Sequence, residues 1–472
     1  MMRRYSALLL ILFGFTLNAL AAEKEAPLPT DLPAYGPLQT IPAPRVVEQK
    51  LANGLTVWLV PRPGFPKVAF AVAVRGGMAG DPKDRPALSE LLVATIDQGT
   101  KTRSARQIAE ELQAAGGDLS GSADADAITF GADFLSSKAD AGLAVIADLL
   151  QNATFIDKEV DLAKRNATDA LASREADPSF LARRALARVI FGDHPYSVIA
   201  PTKESIASST PDELRREYAR RFRPDQTLLV AVGDFQERTM TAAIQNTLDK
   251  WAAPSDPSAP APAPPIQANR QAVFVVERPG SVQTTFAFAA FGPTGRDPDY
   301  AATQVANAIY AGMFGSRLIK NIREDKGYTY SPGGYLQARR AIGVLQTSAD
   351  VSNDVTGASF NEICYELNRM ATTVPTEEEV IRAQRYLTGV RALSLQSEAS
   401  VGSQLASLWV RDLPSDELAK QIDNILKTKA ADVEAAGRKY FSAAREAVVT
   451  VGEAKVIQRE LAPFGVPIKA AP

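Results

Sequence analysis

The chain has 472 residues, 46% of them apolar and 22% charged, a balance that excludes a wholly disordered protein. Lys and Arg total 52 against 54 Asp and Glu, and the resulting net charge of −2 supplies no basic field for a primary role on nucleic acid. Cysteine and histidine each occur once, as Cys364 and His194, which excludes an internal disulfide, a multi-cysteine metal site and a zinc site drawing two histidines from this chain.

Arg3 and Arg4 precede an apolar run from Ala7 to Leu17, and Asn18-Ala19-Leu20-Ala21-Ala22 closes it with small residues. A charged start, a short apolar centre and an A-x-A exit read as a secretory signal peptide over residues 1–22. The run is shorter than the ~20 residues that span a bilayer, and no cysteine follows for a lipid anchor. The expected location is the periplasm, with residues 23–44 a proline-rich leader.

A first domain is expected over 45–251. It opens with strands near Leu55–Val60 and Lys67–Arg75, then helices near Pro86–Ile96 and Ser104–Ala115, ended by Gly116-Gly117. Strands near Asp118–Ala123 and Ala127–Ala132 follow, then long helices over Lys138–Leu150 and Asp157–Ala176, broken at Asp177-Pro178. A helix over Pro211–Arg221 and a strand over Thr227–Val232 close the domain. Pro254, Pro257, Pro260, Pro262, Pro264 and Pro265 mark residues 252–270 as a stiff linker. A second domain is expected over 271–464.

The second domain repeats the first. Arg62-Pro63-Gly64 recurs as Arg278-Pro279-Gly280, 216 residues on, and Val232-Gly233-Asp234 recurs as Val451-Gly452-Glu453, 219 residues on. Two echoes at nearly equal offset, one at each end, indicate a duplicated unit of roughly 190–200 residues. Strands grouped before long helices, with one returning strand, place the chain in the α+β class. The expected architecture is two tandem homologous domains, each a mostly antiparallel sheet covered on one face by helices.

This duplicated β-β-α order resembles the pitrilysin/insulinase family of zinc peptidases, the mitochondrial processing peptidase subunits among them. The residues that carry the resemblance are Asn53-Gly54-Leu55-Thr56-Val57, Gly76-Gly77, Gly99-Thr100, Phe191-Gly192-Asp193-His194-Pro195-Tyr196 and Val232-Gly233-Asp234. Gly315-Ser316-Arg317-Leu318 and Arg323-Glu324-Asp325-Lys326-Gly327-Tyr328-Thr329-Tyr330 add a second-half signature. The family's catalytic motif is H-x-x-E-H on a helix shortly before Gly-Thr, with a distant glutamate as third zinc ligand. Anchored on Gly99-Thr100, the motif falls on Glu90-Leu91-Leu92-Val93-Ala94, so both histidines and the general base are missing. The third-ligand position falls near Asp169 or Ala170, neither a glutamate. Glu90, Val93 and Ala94 therefore form a degenerate motif, and no metal or other cofactor is expected in this chain. The resemblance places zinc in a partner subunit instead.

Family members with the metal in one half place an Arg and a Tyr, seven residues apart, in the other. Arg323 and Tyr330 match that spacing, and the resemblance assigns them oxyanion stabilisation in trans. Gly327 would end the helix bearing Arg323, with Tyr328 and Tyr330 on one face of a strand starting immediately after. The family's substrate-binding strand edge corresponds to Gly117–Ser122, where Ser120-Gly121 replaces the Asn-Ala of active relatives. His194 reads as a hydrogen-bonded loop residue and Cys364 as a small buried apolar residue. Arg215, Arg216, Arg220, Arg221 and Arg223 interleave with Asp212, Glu213 and Glu217 as a solvated helix face. The expected function is a non-catalytic subunit of a two-component periplasmic zinc metallopeptidase, acting on peptides beside an H-x-x-E-H partner or as a homodimer. The alternative is a catalytically inert scaffold of the same fold.

Overall fold

Strands with one solvated face alternate buried and exposed residues; the central strands here do not. β1 (Val47–Lys50), β2 (Thr56–Pro61) and β3 (Lys67–Arg75) open the first sheet, and β3 buries every residue from 68 to 74. Helices α1 (Leu88–Thr95) and α2 (Ala105–Ala114) follow, then β4 (Leu119–Ala123), β5 (Ala127–Leu135), α3 (Ala139–Asn152), α4 (Asp157–Ala176) and α5 (Pro178–Phe191). The half ends with α6 (Lys203–Ser208), α7 (Pro211–Arg221), β6 (Thr227–Gly233) and α8 (Glu237–Leu248). The computed structural model describes residues 36, 42–253, 255–256, 262–265 and 272–472. The expected signal peptide, nearly all of the leader and much of the expected linker lie outside the described residues.

The second half repeats the order with β7 (Val273–Glu277), β8 (Gln283–Gly292), α9 (Tyr300–Asn307), α10 (Arg317–Ile319), β9 (Gly333–Ala338) and β10 (Gly343–Ser352). Then come α11 (Thr356–Thr372), α12 (Glu377–Ser394), α13 (Glu398–Val410), α14 (Glu417–Lys427), α15 (Ala430–Tyr440), β11 (Ala447–Gly452), α16 (Ala454–Leu461) and β12 (Ile468–Ala470). The two six-stranded sheets have orders β1-β2-β6-β3-β5-β4 and β12-β7-β11-β8-β10-β9. The returning strands β6 and β11 run parallel to β2 and β7 and antiparallel to β3 and β8. One outer position differs: β1 is antiparallel to β2, whereas β12, near the chain's far end, lies parallel to β7.

The α+β reading with two tandem sheets holds, but each sheet is covered on both faces rather than on one. Leu59, Phe70, Val72 and Leu229 point into the helices of their own half. Trp58, Val60, Ala71, Val230 and Val232, on the opposite face, pack against Val401, Leu405 and Leu408 of α13 from the second half. Reciprocally, Leu186, Val189 and Ile190 of α5 cover Ala287, Ala289, Phe291 and Val449 of the second sheet. Each half thus lends one helix to the other, which is why the strands are apolar on both faces. Arg75 locks the exchange on one side, its guanidinium 3.9 Å above the Trp409 ring and 2.7 Å from Asp412.

Candidate functional site

The helix that would carry the metal motif is held by a buried guanidinium. Arg221, at the end of α7, bonds Asp81, Ser89 at 2.7 Å and the carbonyls of Gly76 and Gly80. Asp81 in turn accepts from the Ser89 amide at 3.1 Å and from its hydroxyl at 2.7 Å, fixing the first turn of α1. Arg221 and Arg223 are therefore buried rather than part of a solvated face, because acidic partners and carbonyls satisfy their donors. Arg215 and Arg220 do lie on the exposed side, paired with Asp212 and Glu217.

With α1 so placed, Glu90 faces α4. Both its carboxylate oxygens accept from Arg174, at 3.1 and 3.2 Å, in a bidentate pair. Val93 is half-buried and Ala94 exposed on the same helix, and Asp169 and Ala170 are exposed on α4 one turn before Arg174. These residues do not fit a zinc ion: no histidine is among them, and a guanidinium already occupies the Glu90 carboxylate. Arg174 escaped the sequence reading, although its place four residues beyond Ala170 on one helix was the available signal.

β4 is one edge of the first sheet, as expected for the segment around Ser120-Gly121. A Cβ on Gly121 would come within 2.8 Å of the Phe130 ring and 3.0 Å of a Val93 methyl. The valine in place of the motif's glutamate and the glycine in place of alanine are thus packing neighbours. Opposite, β9 is one edge of the second sheet. Between the two edges lies a cleft of about 920 Å³, closed off by α5 and α13 and lined by Ser122, Asp124, Tyr335 and Arg339. Burial pushes the Asp124 carboxyl up and the Arg339 guanidinium down from their ordinary values. The cleft depends on both halves, and no local sequence pattern signals it.

Arg323 and Tyr330 are brought together. Arg323 sits in the last turn of a π-helical segment, Lys320–Asp325, that continues α10. Gly327, at φ +65°, ends it, and its amide donates to the Arg323 carbonyl at 3.1 Å. The strand expected to start there begins only at Gly333, because Pro332 offers no N–H for a ladder; Tyr328 and Tyr330 therefore stand in a loop. Tyr328 packs toward the core, whereas Tyr330 is 81% exposed. The Arg323 Cζ lies 4.8 Å from the Tyr330 ring centroid and 4.8 Å from that of Phe314, a residue the sequence reading did not single out. Glu324 approaches Arg323 Nε at 3.3 Å.

The remaining candidates are structural. His194 Nδ1 accepts from the Tyr196 amide at 3.1 Å, and Nε2 lies 2.7 Å from the Ala263 carbonyl, so the ring clasps the expected linker. Cys364 is half-buried against the second core, not fully enclosed, and burial pushes its thiol up to about 12. Among the described residues, no group of three or more His, Cys, Asp or Glu side chains is placed to hold a metal.

The family description "Insulinase (Peptidase family M16)" matches residues 56–200, and "Peptidase M16 inactive domain" matches residues 208–387. The chain is 25% identical over 398 residues to an "Uncharacterized zinc protease" of Rickettsia felis, covering 83% of this chain and 94% of that protein. It is 25% identical over 353 residues to the "Non-peptidase homolog YmxG" of Helicobacter pylori, covering 71% and 77% of the two chains. In fold it is similar to the crystal structure of a peptidase M16 inactive domain from Pseudomonas fluorescens. There the TM-score is 0.80 at 23% identity, covering 87% of this chain and 98% of that one. With the duplicated sheets, the family markers and a metal helix stripped of its histidines, the chain belongs to the insulinase (M16) peptidase family as a member without the family's zinc motif.

Proposed function

We propose that the chain is the non-catalytic subunit of a two-component periplasmic zinc metallopeptidase. It contributes chamber walls and the Arg323/Tyr330 pair to peptide hydrolysis at the metal site of an H-x-x-E-H partner. The observation that carries this reading is the contrast between two arginines: Arg174 is bound by Glu90 where the motif has lapsed, while Arg323 stands beside an exposed Tyr330. When water adds to a peptide carbonyl, negative charge develops on its oxygen. A guanidinium fork and a phenol hydroxyl are donors suited to that charge. The partner supplies the metal and the hydrolytic water. The edge strands β4 and β9 offer backbone groups to an extended peptide in the cleft between them. The N-terminal pattern of Arg3, Arg4 and Ala7–Leu17 supports export.

The test is steady-state cleavage of a quenched-fluorescence peptide by the complex reconstituted with the H-x-x-E-H chain. Tyr330→Phe removes one donor and little volume, so kcat should fall by ~10²-fold or more, about 2.7–4 kcal/mol for a lost oxyanion donor. Arg323→Ala should cost a similar amount, and Tyr328→Phe much less. Elemental analysis after mild chelation should find no stoichiometric zinc on this chain alone, and light scattering should find a roughly 1:1 complex. The scaffold alternative draws on the name of the Helicobacter pylori relative, "Non-peptidase homolog". It requires activity within a few-fold of wild type in every variant, and that outcome would replace the reading.

A further inference from the structure

We propose that Phe314 is a positioning residue that holds Arg323 in its working orientation; the proposal rests on the reading of the Arg323/Tyr330 pair given above. Phe314 occupies the turn between the helical segment Ala308–Gly312 and α10, where the Ser316 amide bonds the Met313 carbonyl at 2.9 Å. Its neighbours Ala311 and Met313 are buried, yet Phe314 itself is 64% exposed. A phenylalanine displayed on a turn gains little from burial in the core. What it touches is Arg323, whose Cζ stands 4.8 Å from the ring centroid, the same distance as from Tyr330.

Those contacts divide the guanidinium. Its Cζ stands over the faces of two rings, and Glu324 approaches Nε at 3.3 Å. Nη1 and Nη2 make no hydrogen bond among the described residues. What is left free is the terminal fork, the edge with which arginine recognises paired oxygen acceptors. Arg174 in the first half is the reverse case, with both Nη atoms committed to Glu90. Arginine has ample rotamer freedom, and a donor that acts on developing charge must be oriented before the charge appears. Phe314 comes from nine residues upstream, on a different element, so it restrains Arg323 independently of the π-helical segment that bears it.

Two measurements decide this. In the isolated chain labelled with ¹⁵N-arginine, the Arg323 Nε–H resonance should carry a ring-current shift. About half of the shift should be lost in Phe314→Leu, because the Tyr330 ring stands at the same distance, and it should persist in Phe314→Tyr; a resonance that does not move in Phe314→Leu overturns the proposal whatever the activity. In the reconstituted complex, Phe314→Leu should lower kcat by about tenfold with KM within twofold, as for a misplaced catalytic group, and Phe314→Tyr should restore it. In an Arg323→Ala background, Phe314→Leu should add no further loss. Additive losses, or a rise in KM alone, would make Phe314 a contact in its own right and overturn the proposal. Full activity in Arg323→Ala would instead sink the reading of the pair itself, while the resonance experiment still reports whether Phe314 orients Arg323.

Discussion

The first and second halves build one sheet pattern twice, and their helices α4 and α12 show what duplication preserved. Displaced by 220 residues, buried Val160 and Ala163 match buried Val380 and Ala383. Thr168 and Thr388 match too, each hydroxyl bonding the carbonyl four residues back, at 2.8 and 2.7 Å. The exposed positions have diverged: Asn166, Ala170 and Ser173 correspond to Tyr386, Val390 and Leu393. Packing against the sheet holds the inner face, and nothing in the fold holds the outer one.

The start of the motif helix shows the same logic with different chemistry. In the first half the last residue of α7, Arg221, grips Asp81 ahead of α1. In the second half the last residue of α15, Tyr440, donates to Asp299 ahead of α9 at 2.9 Å, joined by Lys439 at 2.7 Å. One tie is a buried ion pair and the other a hydroxyl beside a surface lysine. Both anchor the helix that follows the long central strand, β3 or β8, so the anchor is a requirement of the fold rather than of catalysis.

That comparison breaks most readily at Arg221. Arg221→Met would leave the buried Asp81 uncompensated and cost about 3–5 kcal/mol, whereas Tyr440→Phe would cost about 1 kcal/mol. Equal losses in urea denaturation would show that the two ties are not of different kinds. Next in size, Leu405→Ala in α13 and Leu186→Ala in α5 should each cost about 2–5 kcal/mol. Because each helix covers the other half's sheet, both variants should still unfold in one transition by calorimetry. Two resolved transitions would mean the halves fold separately.

A pH experiment probes a third difference. At the entry to the returning strand the first half has Thr227, bonded to the Arg223 carbonyl at 2.8 Å, and the second half has Glu446. Burial pushes the Glu446 carboxyl up to about 8, with Arg445 opposing. The native state therefore keeps a proton that the unfolded chain releases near pH 4–5. Its contribution is complete below that range and is lost as pH rises through about 8. The slope is at most about 1.4 kcal/mol per pH unit. Glu446→Gln should flatten the decline between about pH 5 and pH 8 in denaturation midpoints, and an unchanged slope would refute the assignment. The smallest effect is at the lapsed motif. Gly121→Ala should cost about 1 kcal/mol by crowding Phe130 and Val93, and Val93→Ala should recover part of it.

Much of this was legible in the chain itself. Lys67–Arg75, Asp157–Ala176 and Pro211–Arg221 have the boundaries that their residues imply. An unbroken apolar run from Val68 to Val74 marks the first, Asp177-Pro178 ends the second, and Thr210 with Pro211 starts the third in a capping box. The missing histidines were equally plain, since ligand identity is a property of sequence alone.

Tertiary structure decided the rest, because it depends on residues far apart in the chain. That Tyr330 stands in a loop and not a strand follows from Pro332 and from where β9 finds β10. That Arg174 fills the lapsed metal helix depends on α4 crossing α1, 84 residues away in sequence. The exchange of α5 and α13 could not be read from any window, because an apolar run on a strand reports that both faces are covered but not by what. Local patterns determined the elements and the lost chemistry; only the packing of one half against the other decided which surfaces meet and which arginine keeps its fork free.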